Sequence, residues 1–150
     1  MEAPSYLSEP DPEHPGWLTW RFSDETRYNG QILGKMLVRP GDSGKAWVRM
    51  FPGHRHSNFS NNLHGGIVLG FIDVALFAAS RMFGLIDVGP AVTLDLATQF
   101  IGPGRIDEPL DAEVELLRET GRLLFLRGLA VQGDNRIASF SATVRKATKR

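Results

Sequence analysis

The chain has 150 residues, with 17 basic and 17 acidic side chains and a formal charge of zero. That length fits one domain with a real core, and the balanced charge argues against a nucleic-acid protein, which would carry a basic excess. Cysteine is absent, and 42% of residues are hydrophobic against 23% charged; this excludes disulfide scaffolds, thiolate metal sites and cysteine nucleophiles, and reads as a soluble globular protein.

Residues 1–16 hold prolines at 4, 10, 12 and 15 and are expected to form a flexible N-terminal arm ahead of a single domain over 17–150. The arm lacks the basic and apolar regions of a signal peptide, so a cytoplasmic protein is expected. Trp17, Leu18 and Trp20 bring bulk that must pack, and the stretch 17–27 fits a strand or a short helix equally. Residues 32–39 and 45–51 flank Pro40-Gly41-Asp42-Ser43-Gly44, a run dense in turn formers, which predicts a hairpin.

A polar loop over 54–62 then leads into Leu63-His64-Gly65-Gly66 and an almost unbroken apolar run whose one carboxylate is Asp73. The run is about 15 residues, short of the roughly 20 that cross a membrane, and has a charge at its middle. It therefore predicts a buried core helix, with no membrane partner. Gly84 and Gly89-Pro90 mark its stop. Val92, Leu94, Leu96, Thr98 and Phe100 alternate with Thr93, Asp95, Ala97 and Gln99, the pattern of a half-buried strand. Further strands are expected over 110–118, 122–132 and 137–145. Glu119-Thr120-Gly121 should form a turn with its glycine left-handed, Gly133-Asp134-Asn135 the next turn, and 146–150 a frayed basic tail. The order is two strands, one long helix and four strands in a meander. A helix apolar on all sides needs cover that one sheet cannot give, so a sheet curling around the helix and completed by a second copy of the chain is expected.

Gly65 and Gly66 stand where the helix begins. The first-turn N–H groups have no intrahelical partners, and the dipole favours negative charge there, so a ligand oxyanion suits them. Asp73, partly desolvated in an apolar run, should have a raised pKa and suits a general base or a nucleophile. Gly65 and Asp73 are eight residues apart, about 12 Å along one helix, too far to act on one carbonyl. If the two cooperate they come from different protomers, and a twofold dimer with antiparallel helices gives two equivalent sites. His64 can hold the shape of the turn. His54 and His56 lack a third ligand at metal spacing, so no metal is expected. Asn58, Asn61 and Asn62 are turn formers, any of which can orient a water or a carbonyl.

The pattern of Asn58, Leu63-His64-Gly65-Gly66 and Asp73 resembles the hotdog-fold acyl-CoA thioesterases of the phenylacetate-degradation, or PaaI-like, type. Two later segments, Ala91-Val92-Thr93-Leu94-Asp95-Leu96 with Gln99-Phe100-Ile101-Gly102-Pro103 and the hairpin Arg118-Glu119-Thr120-Gly121-Arg122-Leu123, resemble that family's following elements. The resemblance implies an α+β hotdog fold, an antiparallel sheet wrapped around one long central helix. It implies a homodimer, often doubled to a tetramer, that hydrolyses acyl-CoA with no cofactor beyond the substrate's own CoA. The Gly65 amide would polarise the thioester carbonyl, and Asp73 of the partner protomer would be base or nucleophile. Asn58 and His64 would position the carbonyl and loop, and Thr93 would help hold the attacking water. Gly66, Phe59 and Phe100 would line the substrate, with Arg118, Gly121 and Arg122 near the nucleotide end of CoA. Many relatives carry Pro after the Asn and Gly soon after it, where this chain has Phe59 and Asn61; Asn tolerates the left-handed conformation, so the loop can still form, and Phe59 would narrow or reshape the acyl pocket. An acyl-CoA-binding protein without turnover and a hydratase or dehydratase are the alternatives. No output domain is visible for the first. The second needs His64 and Asp73 on one C–H/C–O pair, although they lie about 13 Å apart along the helix.

Overall fold

The computed structural model describes residues 5–86 and 91–147. The chain runs through β1 (Tyr6–Leu7), β2 (Leu18–Thr19), β3 (Arg21–Phe22), a π-helical turn over Asn29–Leu33, β4 (Met36–Pro40) and β5 (Lys45–Met50). The single long helix α1 (Gly65–Met82) follows, then β6 (Val92–Phe100), β7 (Leu110–Glu119), β8 (Leu123–Gln132) and β9 (Asn135–Arg145). Seven strands form one antiparallel sheet in the order β2-β4-β5-β7-β8-β9-β6, and β1 and β3 make a separate two-stranded ribbon.

α1 lies on one face of the large sheet. Val68, Phe71, Ile72, Ala75, Leu76 and Ala79 recur at spacings of three and four and are fully buried against it. The sheet answers with every second residue: Ala46, Val48 and Met50 on β5, Ala112 and Val114 on β7, Leu124 and Leu126 on β8. α1 is long and apolar enough by composition to cross a membrane, but here it is the core helix. Its other side carries an open stripe of Gly66, Leu69, Gly70, Asp73 and Phe77, none of them buried.

Several expectations change. The meander holds for β7, β8 and β9, but β6 crosses to the far edge beside β9 and leaves its other edge unpaired among the described residues. Along β6 the alternation is interrupted by a bulge between Thr93 and Asp95. The extra residue resets the parity: Leu94 is 54% exposed, while Thr93 joins Leu96 and Phe100 on the helix side. Gly121 is not left-handed. The Thr120 hydroxyl closes that turn by accepting from the Leu123 N–H at 2.9 Å, whereas Gly133, at φ 58°, is left-handed as a tight hairpin demands. The first hairpin strand starts at Met36 rather than 32, because the chain coils into the π-helical turn first.

From Ser5 onward the segment expected to hang loose lies against the body. Tyr6 and Leu7 pair with Phe22 and Arg21, and the buried Asp11 bonds Lys35 and His14, each at 2.9 Å. At the other end Lys146, placed in the frayed tail, donates its N–H to the Arg122 carbonyl and pairs with Glu119. The Gly89-Pro90 stop lies outside the described residues; Gly84, at φ 76°, follows the last helical turn.

Candidate functional site

The helix start is pinned by backbone bonds on both sides. Leu63 donates to the Gly104 carbonyl at 2.8 Å and His64 to the His56 carbonyl at 2.9 Å. His64 is extended (φ −65°, ψ 134°) and caps the helix: its Nδ1 accepts from the Gly66 N–H at 2.8 Å, and its carbonyl accepts from Ile67 and Val68. The Gly66 amide is therefore engaged, and among the described residues the Gly65 N–H alone in this first turn has no acceptor. The Phe100 ring lies over Gly65, 3.6 Å from where a Cβ would stand. An unpartnered N–H at the positive end of an 18-residue helix is a donor aimed at negative charge.

The preceding loop is an Asx-type turn. Asn58 Oδ1 accepts from the N–H groups of Ser60 at 2.9 Å and Asn62 at 3.0 Å. Asn61 takes the left-handed conformation at φ 61°, so the departure from the usual loop sequence is accommodated. Phe59 stands at the tip, fully exposed, and is not among the residues lining the groove beside Asp73. His56 is buried with both ring nitrogens engaged: Nδ1 accepts from Gly53 and Nε2 donates to the Ile32 carbonyl at 2.6 Å.

Asp73 lies two turns further along α1, on the open stripe. Thr93 Oγ1 donates to Asp73 Oδ1 at 2.7 Å, a contact the β6 bulge makes by turning Thr93 inward. Oδ2 has no protein donor among the described residues. In front of it is a groove of about 460 Å³ lined by Tyr6, Trp20, Phe22, Tyr28 and Phe77. The Tyr28 hydroxyl presses directly on Gly70, where a Cβ would collide with it. Burial pushes the Tyr6 phenol up, against the opposing pull of Arg81, so it stays a neutral ring at the groove.

Two clusters thus form in each chain: His64, Gly65, Gly66 and Phe100 at the helix start, and Asp73 with Thr93 at its middle. Eight residues of helix, about 12 Å, keep them apart. Arg118, Gly121 and Arg122 are exposed at the β7–β8 turn. Strand register puts that turn at the Thr93 end of the sheet, because Leu123 and Val92 both lie opposite Arg145, and not at the Gly65 end. Sequence reasoning missed the aromatic lining. A glycine inside an apolar helix, Gly70, was the available signal, since it costs about 1 kcal/mol against Ala unless something needs the space.

The sequence profile of the thioesterase superfamily matches residues 60–139. No curated protein matches the chain. Among solved structures, the chain is similar to the Escherichia coli PaaI protein of the phenylacetic acid degradation operon, at 20% identity and a TM-score of 0.68 over 83% of this chain and 87% of that one. It is similar to mouse thioesterase superfamily member 2 at 18% identity and a TM-score of 0.65, over 82% and 91% of the two chains. A hypothetical thioesterase from Streptococcus pneumoniae, solved with coenzyme A, aligns at 16% identity and a TM-score of 0.65 over 77% and 88%. The profile spans more than half of the sequence and contains Gly65, Asp73 and Thr93, and the sheet wraps one long helix as in these structures: the chain belongs to the thioesterase superfamily and has the hotdog fold of its PaaI-type members.

Proposed function

We propose that the chain is an acyl-CoA thioesterase whose active site is shared between two protomers. The observation that carries this reading is the division of labour along α1: a free amide at Gly65, a carboxylate at Asp73 oriented by Thr93, and too much helix between them for one chain to use both. The unpaired edge of β6 and the open stripe of α1 support a twofold partner, since both leave polar backbone or apolar surface uncovered. In an antiparallel pair, the Gly65 amide of one protomer meets the groove of the other.

The chemistry then follows from the groups. The thioester carbonyl oxygen accepts from the Gly65 N–H, which stabilises the oxyanion as it forms. Asp73 Oδ2 takes a proton from water as general base, or attacks the carbonyl carbon itself; Thr93 fixes the carboxylate through Oδ1 and leaves Oδ2 to the reaction. On the first route the water oxygen adds to the carbonyl carbon, and the oxyanion collapses to free acid, expelling the CoA thiolate, which takes up the proton held by Asp73; on the second, collapse expels the thiolate and leaves an acyl–Asp73 anhydride that water cleaves to free acid and the restored carboxylate. His64 and Asn58 act through the turn they hold, and Phe100 flanks the amide. The only coenzyme needed is the CoA of the substrate. Thiol release should be measured across aryl-acetyl, benzoyl, short, medium and long acyl-CoAs, for wild type and Asp73→Ala. The variant should lose about 10²–10⁴-fold in kcat/KM with an unchanged circular-dichroism spectrum; equal rates from the two proteins overturn the role of Asp73.

A further inference from the structure

The groove beside Asp73 is lined in part by aromatic rings from the N-terminal part of the chain. β1 pairs with β3 so that Tyr6 stands opposite Phe22, and their ring centroids are 4.7 Å apart. Tyr6 also stacks on the buried Trp20 at 5.1 Å. The Arg81 guanidinium, from the last turn of α1, sits 4.1 Å from the Tyr6 ring centroid and ties the ribbon to the helix that carries Asp73. A second anchor, the Asp11–Lys35 pair, fixes the chain between β1 and β2 to the start of β4. The aromatic lining is therefore held at two points.

Tyr6 and Phe22 are large rings left only half-buried, and the groove opens in front of them. A cluster serving only to hold the ribbon would close over its own rings; this one leaves about 460 Å³ open, and Asp73 lines the same space. The ribbon also lies outside residues 60–139, the segment that contains Gly65, Asp73 and Thr93.

From this arrangement we propose that Tyr6, Trp20 and Phe22 form the far wall of the acyl pocket and set the longest acyl chain the site accepts. The inference rests on the thioesterase reading for its substrate. An acyl chain entering past Asp73 gains about fourfold in affinity for each methylene buried against apolar surface. The gain stops where the chain meets the rings, because a further carbon must displace a packed aromatic or turn back toward water. Chemistry and length selection then come from different parts of the sequence.

The test uses S-alkyl-CoA thioethers from ethyl to hexadecyl, which bind without a carbonyl to hydrolyse. They are titrated calorimetrically against the full chain, and the matching acyl-CoAs are assayed for thiol release. Wild-type affinity should climb with chain length and then fall. In Tyr6→Ala and Phe22→Ala the limit should move to longer chains, with affinity just beyond the wild-type limit rising about fourfold to sixteenfold, one or two methylenes at about fourfold each. Phe22→Leu, which keeps an apolar side chain in the ribbon, should move it less and in the same direction, and thermal melts identify which variants are folded. An unmoved limit in the folded variants overturns the wall and leaves the catalytic reading standing if the wild type still hydrolyses. A limit that moves, in a protein that hydrolyses no acyl-CoA, supports the wall and overturns the catalytic reading. Failure both to bind any thioether and to release thiol from any acyl-CoA overturns both.

Discussion

The two long faces of α1 make opposite use of the same helix. Toward the sheet, Val68, Phe71, Ile72, Ala75, Leu76 and Ala79 are sealed in apolar contact. Away from it, Gly66, Leu69, Gly70, Asp73 and Phe77 form a stripe with a gap in its packing and a carboxylate at its centre. The charge is tolerable there because Thr93 donates to it and open space lies in front. Turned one position back, to Ile72, the same carboxylate would be buried among apolar side chains, where it could stay ionised only at a prohibitive cost. One face supplies stability, and the other keeps its groups available.

The comparison breaks most visibly on the sheet side. Phe71→Ala deletes a ring with no exposure at all and should lower unfolding free energy by about 3–5 kcal/mol in chemical denaturation. A loss below about 1 kcal/mol would mean the core does not depend on that face.

At the helix start a pair of substitutions separates shape from donor. Gly65 is the first helical residue, where proline is well tolerated, and His64 already has the extended backbone that a following proline requires. Gly65→Pro therefore removes the N–H with little disturbance to the helix and should cost about 10²–10³-fold in kcat. Gly65→Ala keeps the N–H, and its Cβ would meet Phe100 only at 3.6 Å, an ordinary contact, so it should cost far less. Equal losses in the two variants would assign the glycine to fit rather than to hydrogen bonding.

The smallest effect concerns the anchor of the N-terminal segment. Hydrogen bonding to Lys35, foremost, and to His14 and the Glu13 amide lowers the Asp11 pKa from 3.8 to about 2. A carboxyl depressed in the folded state stabilises the fold above its unfolded pKa and loses that contribution as pH falls through the folded one. The difference in melting temperature between wild type and Asp11→Asn should thus be full above pH 3.8 and shrink toward pH 2; a difference constant over that range would show that Asp11 is not ionically anchored.

Much of this was visible in the residues themselves. An apolar run opened by Gly65-Gly66 and interrupted by Asp73 announced the core helix and singled out the two groups proposed to share the chemistry, because an isolated charge and paired glycines are conspicuous against a uniform background. The strand of β7 was legible from its alternation of apolar and charged residues. The Leu94 bulge was not: apolar and polar residues alternate straight through it, and only the register with Val144 and Thr143 on β9 shows the slip. Thr93 consequently read as facing away from Leu96, when it faces the helix. The N-terminal ribbon was hidden by its prolines and by distance. Tyr6 meets Phe22, Trp20 and Arg81, and Asp11 meets Lys35, contacts between residues far apart in the chain that no local pattern encodes.

The most direct test of a site divided between protomers is complementation. Asp73→Ala and Gly65→Pro, each carrying a different affinity tag, are co-expressed, and the mixed dimer is isolated through both tags. If Asp73 of one chain works with Gly65 of the other, the mixed dimer holds one site with both lesions and one site with none, and should show about half the wild-type rate per dimer although each parent is nearly inactive. A mixed dimer as inactive as its parents would place both groups in the same chain's site and contradict the account.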